Sequence, residues 1–233
     1  MKIKKYFVII YVLVSNLFYA QEAEIVYKSI YFDVPDVKID KDIKTKVSRE
    51  INDMKYLLRY TKKQSFFEGL PHVPHDKFMA KMAIGVTQSH VEWYQYPNEK
   101  QSYHNKKIKD SIYRVKYEER MQKWDLHNEK KEIDGYVCYK ATIDYTHPYT
   151  ENQFIIEAWY TPEIPVPYGP VGYGGLPGLI LQLKHSHVIY IAQEITLNPI
   201  GGIKPIKDLK PGRLIDADEK RKLQQKARKV TED

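Results

Sequence analysis

The stretch Gly135–Tyr145, GYVCYKATIDY, decides the fold class. Val137, Tyr139, Ala141, Ile143 and Tyr145 fall on one side of an extended chain, and Cys138, Lys140, Thr142 and Asp144 on the other. Side chains alternate along a strand, so this pattern predicts a β-strand with one packed and one wetter face. Phe154–Pro162 follows it, apolar on both faces from Phe154 to Tyr160, and reads as a central strand.

Working outward, strand signals recur at Glu24–Val34, Tyr56–Thr61, Ser65–Phe67, Thr87–Tyr96, Gln101–Lys106, Ser111–Glu118, Gln122–His127, Leu179–Leu183 and Val188–Ile195. Turn material separates them at Pro97-Asn98, Asn128–Lys131, His147–Thr150 and Asn198–Gly202. Strands this closely spaced, without helices between them, indicate antiparallel pairing. Ile43, Val47, Ile51 and Met54 recur at helical spacing and predict an amphipathic helix over Asp40–Met54. Asp76 is placed to cap a short helix reaching Met82. The expected class is mainly β (α+β), a curved antiparallel meander with one N-terminal amphipathic helix and a C-terminal helix.

Residues 1–20 read as a secretory signal peptide. Lys2, Lys4 and Lys5 precede the apolar run Tyr6–Val14, and Ala20 offers a small residue at the exit. The run is too short to span a bilayer. Its removal takes away three lysines and no acids, lowering the net charge from +7 to +4. That mild surplus, spread over many lysines, is not a nucleic-acid footprint. Residues 21–212 are expected to form a single β-rich domain and 213–233 a basic charged tail, helical or frayed, with Leu223, Ala227 and Val230 as a thin apolar stripe. A partner-binding helix is the alternative there. Export favours the periplasm, with the outer surface as the alternative, and contact with a membrane only at its surface.

Cys138 is the only cysteine, so the chain cannot close an internal disulfide and must be held by its core. The thiol itself reads as a small buried hydrophobe. Twenty tyrosines suit a broad, half-wet sheet or a binding surface.

The motif Gly175-Leu176-Pro177-Gly178-Leu179-Ile180 follows Trp159-Tyr-Thr-Pro-Glu-Ile-Pro-Val-Pro-Tyr-Gly-Pro170. Trp124-Asp-Leu, Ile133-Asp-Gly-Tyr-Val-Cys138 and Lys140-Ala-Thr142 precede it. Together these closely resemble the GLPGLI family of secreted Bacteroidota proteins over roughly residues 55–195. The resemblance implies export and implies no chemistry, because the family has no established activity. The early helix, the long-stranded meander and the Trp-ended strand feeding a Pro-rich loop are also similar to the periplasmic lipoprotein-carrier architecture, which implies a sheet curved around an apolar concavity. Glycine and proline ahead of Leu179 predict close backbone approach, with Pro177 at a strand start or bulge.

Three kinds of site are compatible with these residues. Trp159, Tyr160, Tyr168 and Tyr173 surround the Pro-rich loop and are candidates for an aromatic lip that binds an apolar ligand, a peptide or an envelope protein. His185 and His187, two residues apart, would share one face of a strand and supply half of a zinc or copper site. His72 and His75 form a second pair, while His90, His104 and His127 lie on or beside strands. A hydrolase is the third possibility, but neither Gly-x-Ser-x-Gly nor His-Glu-x-x-His occurs, and Asp144 and Glu157 fall on separate strands. No cofactor is indicated beyond that possible zinc or copper, and nothing in the pattern specifies an oligomeric state. A non-catalytic binding module is the expected role.

Overall fold

The structure, a computed structural model, describes residues 22–33, 40–121, 124–146 and 153–229. The expected signal peptide, the His147–Thr150 turn and the last residues of the tail lie outside the described residues.

Twelve strands form one sheet. In chain order they are β1 (Glu22–Tyr31), β2 (Lys55–Thr61), β3 (Ser65–Gly69), β4 (Trp93–Tyr96), β5 (Gln101–Ile108), β6 (Ser111–Tyr117), β7 (Asp125–Ile133), β8 (Tyr136–Thr146), β9 (Gln153–Thr161), β10 (Leu179–His185), β11 (Val188–Leu197) and β12 (Arg213–Ile215). The order across the sheet is β12-β6-β5-β4-β3-β2-β1-β11-β10-β9-β8-β7. Strand β1 is thus the seam between two meanders, pairing antiparallel with β2 on one side and β11 on the other. The remaining pairs are antiparallel too, except that β12 runs parallel to β6. The mainly β expectation holds.

The inner face is set by period-two alternation. Ala23, Ile25, Tyr27 and Ser29 of β1 are fully buried, opposite Tyr60, Leu58 and Tyr56 of β2. Burying each large side chain of this set contributes roughly 1.5–3 kcal/mol. Helix α1 (Lys41–Asp53) covers one end of that face, and Asp40 caps it by accepting from the N–H groups of Asp42 and Ile43. Its buried stripe, Val47, Glu50 and Ile51, meets β1, where Ser29 Oγ donates to the Ile51 carbonyl. Helix α2 (Lys77–Thr87), capped by Asp76, packs beside α1. It runs past the expected end at Met82 because Met79, Ala80, Ala83 and Thr87 extend its buried stripe, and the strand expected from Thr87 begins only at Trp93.

Two further boundaries differ from expectation. Strand β7 continues through Asn128–Lys131, with a bulge between Leu126 and Lys130, and the reversal falls instead at Asp134–Gly135, both with positive φ. This two-residue hairpin pairs Ile133 with Tyr136. Next to it the burial of β8 inverts. Cys138 is fully buried and Val137 is 46 % exposed, whereas Ala141 is buried as the alternation requires. Burial pushes the Cys138 thiol up to about 11. At the other end of the chain, β12 adds to the sheet and helix α3 (Ala217–Lys229) packs Ala217 and Leu223 onto the core. Residues 213–229 thus carry a strand paired with β6 and a helix in contact with the core.

Candidate functional site

The Pro-rich segment 162–178 does not rim the sheet. It folds onto the inner face, burying Ile164, Tyr168, Val171 and Leu176 to within 2 % exposure. A buried segment must find partners for its backbone, and the opposite meander provides them. Gln95 Nε2 donates to the Tyr173 carbonyl (2.8 Å), while Gln95 Oε1 accepts from Ser65 Oγ (2.7 Å) and from the Gly169 N–H (3.2 Å). Ser102 Oγ donates to the Gly172 carbonyl, and Tyr168 donates its hydroxyl hydrogen to the Thr61 carbonyl (3.0 Å). The segment is a plug that joins the two halves of the sheet.

The GLPGLI motif ends this plug. A Cβ on Gly175, at φ +84°, would lie 2.0 Å from the Met121 carbonyl oxygen. One on Gly178 would lie 2.1 Å from that of Thr161. Leu179 and Ile180 donate their N–H groups back to the Ile164 and Tyr168 carbonyls (2.9 and 3.0 Å) as the strand begins. Strand β10 then bulges between Ile180 and Gln182. Pro177 precedes the strand by two residues, so neither of its expected positions, strand start or bulge, is the observed one.

All four aromatic residues expected at a lip are buried, and only Tyr173, itself 3 % exposed, lines a cavity. Trp159, Tyr160 and Tyr168 are 8 %, 7 % and 1 % exposed. Tyr168 packs on Tyr60, Tyr160 on Tyr139, and Trp159 lies under Lys131 Nζ, 4.2 Å from its ring centroid. No exposed lip forms, because Tyr168 is buried within the plug while Trp159 and Tyr160, on opposite faces of β9, are covered by Lys131 and Tyr139. The two histidines also part company. His185 ends β10, whereas His187 sits in the two-residue turn Ser186–His187 and stacks on Tyr31. A turn residue does not continue the strand's alternation, so the shared face is lost. His72 and His75 instead contact Glu50 and Asp53 of α1 at 3.3 and 2.6 Å. Among the described residues no group of three or more His, Cys, Asp or Glu side chains converges as a metal site would require.

What the fold does assemble is a cleft of about 940 Å³ between the plug, α3, the turn after α2 and the ends of β5, β6, β8 and β10. Strands β6 and β8 stand near opposite ends of the sheet order, so the sheet curls to bring them to one cavity. At its floor lies Arg120, 8 % exposed, with its guanidinium carbon 4.1 Å from the centroid of a Trp93 ring, 4.8 Å from Tyr173 and 4.9 Å from Tyr117. Its Nη1 donates to the Val171 carbonyl of the plug. Aromatic faces attract such a cation, but they do not neutralise it, and no ion pair to Arg120 occurs among the described residues.

The neighbouring groups form a directed chain. The Asn105 carbonyl can only accept, so His104 Nδ1, 3.0 Å away, carries the hydrogen. His104 Nε2 must then accept from the Tyr117 hydroxyl (3.2 Å), and that oxygen in turn accepts from Lys220 Nζ (2.6 Å). Burial, reinforced by the Lys220, Arg120 and Lys106 charges, lowers His104 to about 3. His185, whose ring lies 5.4 Å from that of Tyr173, is lowered to about 3 by burial and then by Arg120. Lys220 is lowered by burial and by Arg120 as well, and Tyr173 is raised to about 12 by burial. Both imidazoles are neutral at pH 7, and the fixed positive charge of the floor comes from Arg120 and Lys220.

Arg120, Lys220 and Tyr117 were not singled out by the sequence. Arg120 falls in the gap between the expected strands Ser111–Glu118 and Gln122–His127, and only the fold brings Trp93, Tyr117 and Tyr173 around its guanidinium. The molecule is thus a mainly β protein in which a curled antiparallel sheet, an internal plug and a docked C-terminal helix enclose a cationic cleft.

Residues 144–182 match a family model described as a protein of unknown function (Porph_ging), a segment covering β8 from Asp144 to the bulge of β10. Comparison with curated proteins finds no match. Among solved structures the chain is similar to PNGF-II in two crystal forms, P21 and C2, at 19 % and 18 % identity and a TM-score of 0.54 in each. Both alignments cover 90 % of this chain and 34 % of PNGF-II, so the chain spans about a third of that protein's length. At this identity the likeness is one of fold.

Proposed function

We propose that this chain is an exported, non-catalytic binding module of the GLPGLI type, working in the periplasm and holding a peptide-like ligand in the Arg120 cleft. The observation that carries the reading is the cleft itself. Its volume lies in the range typical of ligand pockets, and its mostly polar and charged lining surrounds the rings of Tyr117, Tyr145 and Tyr173. The likeness to about a third of PNGF-II supports a unit that can stand within a larger protein. The overlap of the matched segment 144–182 with the motif at 175–180 supports the GLPGLI assignment. Export rests on the character of residues 1–20, and residues 21–212 together with β12 and α3 would act as one domain.

The protonation states favour holding over turnover. A neutral imidazole lowered to about 3 is a weak base, and His104 has both nitrogens engaged. An apolar ligand finds less support, since the plug fills the concave face it would need. The test is fluorescence anisotropy of the mature chain with a panel of labelled tri- to hexapeptides. Saturable binding that unlabelled peptide displaces is expected. No binding of any peptide at millimolar concentration would remove this reading.

A further inference from the structure

We propose that the cleft recognises a carboxylate of its ligand, seated between the guanidinium of Arg120 and the ammonium of Lys220. This deepens the peptide-binding reading and rests on it. Tyr117 is the shared platform of the two cations. Arg120 lies 4.9 Å from the centroid of its ring, and Lys220 Nζ is 2.6 Å from its hydroxyl oxygen and 5.3 Å from its centroid. Two like charges drawn together in a partly desolvated cavity repel, and that arrangement favours an anion that can meet both.

Arg120 is 92 % buried, taking its 8 % exposure from the whole, yet a single carbonyl, that of Val171, accepts from it among the described residues. A guanidinium has five N–H donors in a planar fork, matched by the two oxygens of a carboxylate. Arg120 is itself one of the residues that line the cleft.

The acids around the cleft do not fill this role. Glu118 pairs with Lys116 and Asp218 with Arg221. Asp216 accepts from the Glu219 N–H at the start of α3 (2.7 Å). Glu119 is exposed at the mouth and makes no ion pair with Arg120 or Lys220. The floor is therefore cationic and the mouth mixed, which suits a ligand entering acidic end first. A cavity of this size exceeds a lone small anion and suits a carboxylate carried on a longer chain. Two sources share that chemistry, the C-terminus of a peptide and an acidic side chain within one.

The experiment compares one labelled hexapeptide in three forms by anisotropy: free acid, C-terminal amide, and C-terminal amide with one internal Glu. Binding of the free acid at least tenfold tighter than the plain amide assigns the site to a chain end. Recovery by the internal Glu assigns it to a side chain. Either result supports the proposal. Lys220→Gln should weaken the carboxylate-bearing form about tenfold and leave the plain amide unchanged, while Glu119→Gln should tighten it. Arg120→Lys retains charge without the fork and should fall between wild type and Lys220→Gln. Thermal melts establish that each variant is folded, and Lys220→Gln, at a half-buried position of α3, decides the matter if Arg120→Lys fails to fold. Equal binding of all three peptides, with Lys220→Gln affecting them alike, would overturn the carboxylate site while leaving a peptide-binding module. Absence of binding by every form would overturn both.

Discussion

Replacing Gly178 with alanine tests whether the plug holds the fold together. A Cβ at this position would lie 2.1 Å from the Thr161 carbonyl oxygen, 2.5 Å from its carbon and 2.9 Å from the Pro162 nitrogen. All three are backbone atoms, so no side chain can swing aside, and the shortest approach is about 1 Å or more inside ordinary contact. Relief requires β9 and β10 to separate at the Leu179–Thr161 pair. The Leu179 and Ile180 N–H groups would then be drawn from Ile164 and Tyr168. Overpacking of this kind costs about 1–3 kcal/mol, and each weakened hydrogen bond about 1 kcal/mol. A loss of about 3 kcal/mol corresponds to a fall in Tm of roughly 6–12 °C for a chain of this length. Differential scanning calorimetry of residues 21–233 reads it directly, and Gly178→Val should fall further. A Gly178→Ala protein melting within a degree of wild type would refute the close approach and the part assigned to the plug.

Other perturbations separate further parts of the account. Gly85→Ala, on the exposed side of α2 with nothing within 4 Å of the added Cβ, should gain about 1 kcal/mol from helix propensity, visible as a rise in Tm. Gln95→Leu removes the partner of Ser65, Gly169 and Tyr173 together. The buried groups left behind should lower stability by about 3 kcal/mol in urea titrations, and an unchanged midpoint would deny the plug its anchor. Acid should erode stability early. His104 and His185 lie near 3 in the folded chain against 6.5 unfolded, so the unfolded state takes up protons first. Stability is full above pH 6.5 and declines as pH falls from there toward 3. For His104 alone the loss at pH 5 is about 2 kcal/mol, where ordinary carboxylates remain charged. Equal urea midpoints at pH 7.5 and pH 5 would contradict the buried neutral imidazoles.

Much of the sheet was legible because its signals are local. The alternation that predicts β8, the stripe Ile43-Val47-Ile51-Met54 of α1 and the capping Asp76 of α2 each depend on neighbours within a few residues. Asp134–Gly135 also carries a local hairpin signal, but Asn128–Lys131 is the more polar stretch, and polarity is a poorer guide to a reversal than backbone conformation. The site was not legible, for a different reason. Trp159, Tyr160 and Tyr168 have the composition of a binding lip, and only tertiary contacts bury them: the inward path of the plug for Tyr168, and Lys131 and Tyr139 for the two β9 rings. Arg120 and Lys220 look like solvated charges, and the tertiary approach of β6 to α3 makes them a pair on Tyr117. His185 was visible as a candidate, yet its partner across space is Tyr173, not His187.

The central claim is that ligand binds at the floor of this cleft. Nuclear magnetic resonance of residues 21–233, with arginine side-chain Nε–Hε and histidine ring signals observed during titration with the free-acid hexapeptide, tests it at the atoms named. The account predicts saturable shifts of the Arg120 Nε–Hε and His185 ring signals, with Tyr117 and Tyr173 moving at the same midpoint. Shifts confined to the outer face of α2 or the edge strand β7, with Arg120 unmoved at saturation, would contradict it.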